Sequence, residues 1–172
     1  MSVVIDASVA LKWVFDEPDS AAAVALRNEE LIAPTLWLAE AANALWRRAQ
    51  RGEITASEAV EWFADLRNAP VASLPIEPHL EPALKLAIEI GHPIYDCLYL
   101  ALALRHQTHV MTADRRFASA AASRPHLSGT VRLLTRDMQT GGQGNAHPAF
   151  AASAAPAAVS SSQKTRIRQR NL

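Results

Sequence analysis

Short apolar segments punctuate the chain at 3–5, 31–33, 71–74, 110–112 and 131–134. Val3-Val4-Ile5 shows no polar alternation, which fits a strand covered on both faces in a parallel sheet. Between these segments the apolar positions return at helical spacing. Ser8 is expected to cap a helix over 9–15 that Pro18 ends, and Asp19 or Ser20 a second helix through about 28. Pro34 and Thr35 open a long helix to about 51, closed by Gly52, with Leu38, Ala41, Ala42, Leu45 and Ala49 as its apolar stripe. Thr55 and Glu58 read as a capping box for a helix to about 68. Further helices are expected over 82–90, stopped by Gly91, from Pro93 through 105, and over 115–122. Strands alternating with helices predict an α/β domain, a three-layer α/β/α sandwich around a central, mainly parallel sheet.

A chain of 172 residues is ample for one such domain and short for two. Apolar residues make up 49% and charged residues 20%, as in an ordinary soluble globular protein. The single Cys97 excludes an internal disulfide and a multi-cysteine zinc site, and fits a reducing cytosol. No basic n-region precedes a long apolar h-region, and charge interrupts every apolar run. Neither a signal peptide nor a membrane span is therefore expected, and the expected location is cytoplasmic.

The formal net charge is zero, but all 17 acids lie within 1–138, which is net negative. Lys164, Arg166, Arg168 and Arg170 follow with no acid among them. A negative body argues against broad electrostatic adhesion to nucleic acid. After about Met138 the sequence turns rich in Gly, Ala, Ser and Pro. The expected organisation is a folded domain over 1–138 and a low-complexity, disordered tail over 139–172. The basic end of the tail reads as a polyanion contact, or equally as a solvated tail or an out-of-frame readthrough.

Four acids sit where an acid is locally awkward. Asp6 ends Val3-Val4-Ile5, Glu40 lies inside Leu36-Trp37-Leu38-Ala39 and Ala41-Ala42, Asp96 opens an apolar stretch from Cys97 to Leu104, and Asp114 follows Val110-Met111-Thr112-Ala113. A carboxylate in apolar surroundings should be neutral, paired or metal-bound. Singly, Asp6, Asp96 and Asp114 read as helix-capping acids and Glu40 as a surface acid on an amphipathic helix. Jointly they suggest a site, because parallel sheets place ligands at the carboxyl ends of strands. If the strands that end at Asp6 and Asp114 are neighbours, both carboxylates point into one crevice. Glu40 shares a helix face with Asn43, and Arg47 lies about two turns beyond it.

The segments VVIDASVALKW, LAEAANALW, YDCLYLALA and MTADRRF, in that order, resemble the PIN domain, and specifically the bacterial VapC-type toxin ribonucleases. The resemblance spans about residues 2–136. It implies that Asp6, Glu40, Asp96 and Asp114 are the family's acidic metal-binding quartet. Ser8 and Thr112 match the small hydroxyl residues beside it, and Asn43 a polar position one turn after the second acid. It also implies a Mg²⁺ cofactor (Mn²⁺ as the alternative), an RNA substrate, a cognate antitoxin protein and a homodimer, with no membrane. The antitoxin expectation falls on the helices over 21–27 and 37–49, and the homodimer contact on Trp62 and Phe63.

All-oxygen ligands favour Mg²⁺ or Mn²⁺ over zinc, and such an ion keeps waters and accepts phosphate. Asp6 and Asp96 are expected to hold the principal ion, with Asp114 and Glu40 completing its shell or holding a second. Arg47 and Arg115 are the candidates for RNA phosphate contacts, ahead of Arg51 and Arg116, while Arg48 reads as a solvated helix face. The tryptophans suit base stacking, but at helical spacing core or interface positions are commoner. The six His show no metal spacing, His92 is expected in a loop, and Cys97 as a packed small side chain.

The functional expectation is a metal-dependent endoribonuclease, the toxin component of a toxin–antitoxin module. The alternative is an RNA- or protein-binding module with a structural cation and no turnover. A haloacid-dehalogenase-like phosphatase is a third reading, but it calls for a second Asp two residues after the first, where this chain has Ser8.

Overall fold

Residues 2–135 are described in a computed structural model of the chain. The expected boundary near 138 and the tail over 139–172 lie outside the described residues. Strands β1 (Ser2–Ile5), β2 (Glu30–Pro34), β3 (Val71–Leu74), β4 (Val110–Thr112) and β5 (Val131–Leu133) form one sheet in the order β3-β2-β1-β4-β5. All its pairings are parallel. Central β1 buries Val3, Val4 and Ile5, which is why its sequence does not alternate. The chain leaves β1 towards β2 and later returns to β4 on the opposite side. Parallel sheets open a crevice at such a switch point. The register Ile5↔Met111 sets the carboxyl ends of β1 and β4 side by side.

The helices are α1 (Ala7–Ala10), α2 (Ser20–Ala25), α3 (Leu36–Gln50), α4 (Ala56–Arg67), α5 (Leu80–Ile90), α6 (Ile94–Arg105) and α7 (Arg115–Ala122). Right-handed crossovers put α1–α4 over one face of the sheet and α5–α7 over the other. Packing agrees: α1 meets α3, α3 meets α4, and α5 meets α6, which crosses β1, β2 and β4. Every residue of α6 from 97 to 103 is buried, so its apolar sequence is that of a core helix. No single helix among the described residues is long and apolar enough to cross a membrane.

Local starts differ from expectation in three places. The cap of α1 is Asp6 rather than Ser8, with extended backbone (φ −78, ψ 148) and Oδ1 accepting from Ser8 N. The Ser8 hydroxyl is turned away from the helix towards Asp6 and Ala113. Pro34 ends β2 instead of opening α3. Helix α5 begins at Leu80, and Pro82 fits inside its first turn, where backbone N–H groups have no intrahelical partner to lose. The capping box of α4 forms as expected: Thr55 Oγ1 accepts from Glu58 N at 3.1 Å and Glu58 Oε2 from Thr55 N at 2.7 Å. Thr55→Ala is expected to cost about 1 kcal/mol. A lower denaturation midpoint with an unchanged slope is the readout.

The aromatic residues mostly serve packing. Trp37 is buried and donates to Ser73 Oγ at 2.9 Å, and Trp13 donates to the Ala23 carbonyl at 2.8 Å. Trp62 packs edge-on against Phe15, with Phe63 beside it on the core, while Trp46 is open to solvent.

Candidate active site

Four separate segments deliver the four acids to the switch point. Asp6 follows β1, Glu40 lies in the second turn of α3, Asp96 in the first turn of α6, and Asp114 follows β4. Each element has its sequence-near end at the carboxyl edge of the sheet, so the side chains converge without any long excursion of the chain.

Asp6 is buried and tightly held. Its Oδ2 accepts from Ser8 Oγ at 2.8 Å and from Thr112 Oγ1. Thr112 is fully buried, and its hydroxyl oxygen accepts from Asp114 N at 3.0 Å. Ser8 Oγ accepts from Ala113 N at 3.0 Å. Two hydroxyls thus bind the ends of β1 and β4 together. Asp114 caps α7, its Oδ1 accepting from Arg116 N at 2.7 Å and Phe117 N at 3.2 Å. Glu40 Oε2 accepts from the buried Tyr99 hydroxyl of α6. Asp96 caps nothing, because the cap position of α6 is Pro93. Its Oδ2 is 2.7 Å from His92 Nε2.

The electrostatics follow from burial and from like charges. Burial raises Asp6, against the hydrogen bonds of Thr112 and Ser8, and Asp114 raises it further. Burial pushes Glu40 up to about 7, helped by the charges of Asp6 and Asp96. Asp96 is raised by burial and by Asp6, and His92 opposes this. Each of these acids therefore feels at least one other. Among the described residues, none of the four is ion-paired to Lys or Arg.

A groove of about 400 Å³ runs from the site, with Ser8 and Ala113 at its acid end and Lys12, Arg47, Arg48 and Arg51 along it. Arg48 is not the solvated residue expected. Its guanidinium bonds Glu17 at 2.5 Å and lies 3.8 Å over the Phe15 ring. Glu17 also holds buried Lys12 at 2.7 Å, and Arg51 pairs with Glu53. Arg47 is exposed and in no ion pair among the described residues. Asn43 and Arg115 are exposed too.

Sequence reading missed His92 and Tyr99 as members of the site. His92 lies in the expected loop, but His92, Asp96 and Asp114 each offer one ligand atom, all within 4.8 Å of one another. Tyr99 lay hidden in the apolar run of α6; its spacing of three from Asp96 was the available signal. Cys97 is buried as expected, and burial pushes its thiol up to about 11.

A three-layer fold with a parallel sheet and an acidic switch point defines a Rossmann-like class of protein. Residues 3–123 match the PIN domain, and the chain belongs to that family. It is similar to Ribonuclease VapC3 of Pyrobaculum aerophilum, 33% identical over 127 residues that cover 69% of this chain and 93% of that protein. Its fold is similar to the crystal structure of PAE2754 from the same organism, with a TM-score of 0.58 and 24% identity. That likeness covers 70% of this chain and 79% of the other.

Proposed function

We propose that this PIN-domain protein is a metal-dependent endoribonuclease acting as the toxin of a toxin–antitoxin pair. The observation that carries the reading is the convergence of Asp6, Glu40, Asp96 and Asp114, from four segments, with no ion pair to Lys or Arg among the described residues. The similarity to Ribonuclease VapC3 supports RNA as substrate. The donor set fits a hard divalent cation, because carboxylate oxygens that repel one another gain from a shared positive charge. Asp6 and Asp96 would hold it, with Asp114 completing the shell and Glu40 reaching it through water. Bound there, Mg²⁺ or Mn²⁺ supplies Lewis acidity towards phosphate and water.

The chain's own residues do the rest. Ser8 and Thr112 lock the Asp6 carboxylate in one orientation. Tyr99 occupies Glu40 Oε2, which leaves Oε1 to orient the attacking water and take its proton. Among the described residues of the groove, Arg47 is the cation in no ion pair and so available to a phosphate, and Arg115 lies next to Asp114. Arg47→Ala is expected to weaken RNA binding and lower the salt slope of log K by about 1, measured by titration at several salt concentrations.

Partner surfaces belong to the same proposal. An apolar groove between α3 and α4, lined by Leu45, Trp46, Ala49, Val60 and Phe63, suits an apolar antitoxin segment. Leu84 and Ile88 stand exposed one turn apart on α5 and suit a second copy of the chain better than Trp62 and Phe63, which are packed inward. Ile88→Asp is expected to halve the mass seen by light scattering. For the function itself, induced expression should arrest growth in the wild type and not in Asp96→Asn. Equal arrest by both chains would sink the catalytic reading.

A further inference from the structure

We propose that His92 supplies a nitrogen ligand to the cation, so that the centre is a mixed imidazole–carboxylate site favouring Mn²⁺ over Mg²⁺. This rests on the metal-dependent reading above and goes beyond the four acids.

The backbone places His92 firmly. Gly91 adopts a left-handed conformation (φ 66) at the end of α5, and both Gly91 N and His92 N donate to the Ala87 carbonyl. Pro93 then starts α6. The imidazole stacks on the wholly buried Phe117 ring, with centroids 5.2 Å apart and planes 15° from parallel. Only 11% of the His92 side chain is exposed. Phe117 N is itself a donor to Asp114 Oδ1, so one element of α7 fixes both the ring and the carboxylate it faces.

The donor geometry suits one ion. Ligands about 2.1 Å from a common cation are at most about 4.2 Å apart, so the 4.8 Å limit on the His92, Asp96 and Asp114 atoms closes with a small side-chain movement. A neutral imidazole has one N–H to offer and two carboxylates near it, whereas a cation engages all three groups at once. Mg²⁺ holds to oxygen ligands and keeps its waters, while Mn²⁺, equally at home among carboxylates but a transition metal at the weak end of its series, accepts an imidazole nitrogen more readily than Mg²⁺ does. A purely positioning role, in which His92 only donates to Asp96, is the competing account.

His92→Gln separates the two, because Gln keeps a donor for Asp96 but offers no aromatic nitrogen. Pulsed EPR of the full chain loaded with Mn²⁺ should show hyperfine coupling to one directly bound nitrogen in the wild type and none in His92→Gln. Calorimetry should show the Mn²⁺ over Mg²⁺ preference falling roughly tenfold or more in the variant. Bound Mn²⁺ without nitrogen coupling in the wild type overturns the ligand assignment while the metal-dependent reading stands. An unchanged coupling in His92→Gln overturns it as well. No binding of either ion to the wild type overturns both together.

Discussion

Asp96→Asn is expected to lower RNA cleavage by about 10³-fold and to leave the fold intact. The metal at such a site contributes several kcal/mol of charge stabilisation, and each 1.4 kcal/mol is about tenfold in rate. The variant isolates chemistry from stability because Asp96 caps no helix and receives one side-chain hydrogen bond, from His92. Asp6→Asn is a poorer test of the same idea. Asp6 caps α1 and takes two hydroxyl donors that join β1 to β4, so its loss carries a structural cost of about 1–2 kcal/mol as well. Cleavage rates beside thermal melts of the two variants check this. A tenfold loss or less for Asp96→Asn at an unchanged melting temperature would remove it from the proposed centre.

Glu40→Gln should stabilise the metal-free protein at pH 8 and make no difference near pH 4. Burial lifts the folded pKa of Glu40 from 4.5 to about 7. A folded pKa above the unfolded value means that folding favours the protonated form, so that stability is present below pH 4.5 and is lost as the pH rises through about 7. Gln mimics the neutral acid and still accepts from Tyr99, so the variant keeps at pH 8 what the wild type has lost. The group is partly open to solvent, which reduces the effect to a few degrees in Tm. Comparing the two chains at each pH cancels the opposite contributions of His79 and His109, both lowered by burial. Divalent metal should erase the difference by neutralising the wild-type carboxylate. A gap that is constant from pH 4 to pH 8 would contradict the burial of a charge at this position.

Much of this arrangement was legible locally. The unalternating Val3-Val4-Ile5 reported a doubly covered strand, and the Thr55–Glu58 spacing reported a helix start, because both signals depend on neighbours within a few residues. Asp6 and Asp114 proved to be capping acids as well as members of the cluster, so the plain and the functional readings of each were compatible. What the sequence hid depends on distant partners. Arg48 looked solvated because Glu17, which holds it, is 31 residues away in the loop before α2. Trp37 gave no sign of the Ser73 that satisfies its indole. His92 is four residues from Asp96, but Gly91 and Pro93 break the helical frame between α5 and α6. No periodicity therefore connected the two, and only the Phe117 stack from α7 completes the contact.

The most direct test is incubation of a total cellular RNA pool with the purified full chain, wild type and Asp96→Asn, in Mg²⁺, in Mn²⁺ and in chelator. The account predicts discrete fragments from the wild type with either metal, none with chelator, and almost none from the variant. Fragments that persist in chelator, or that the variant produces at the wild-type rate, would contradict a metal centre built on these carboxylates.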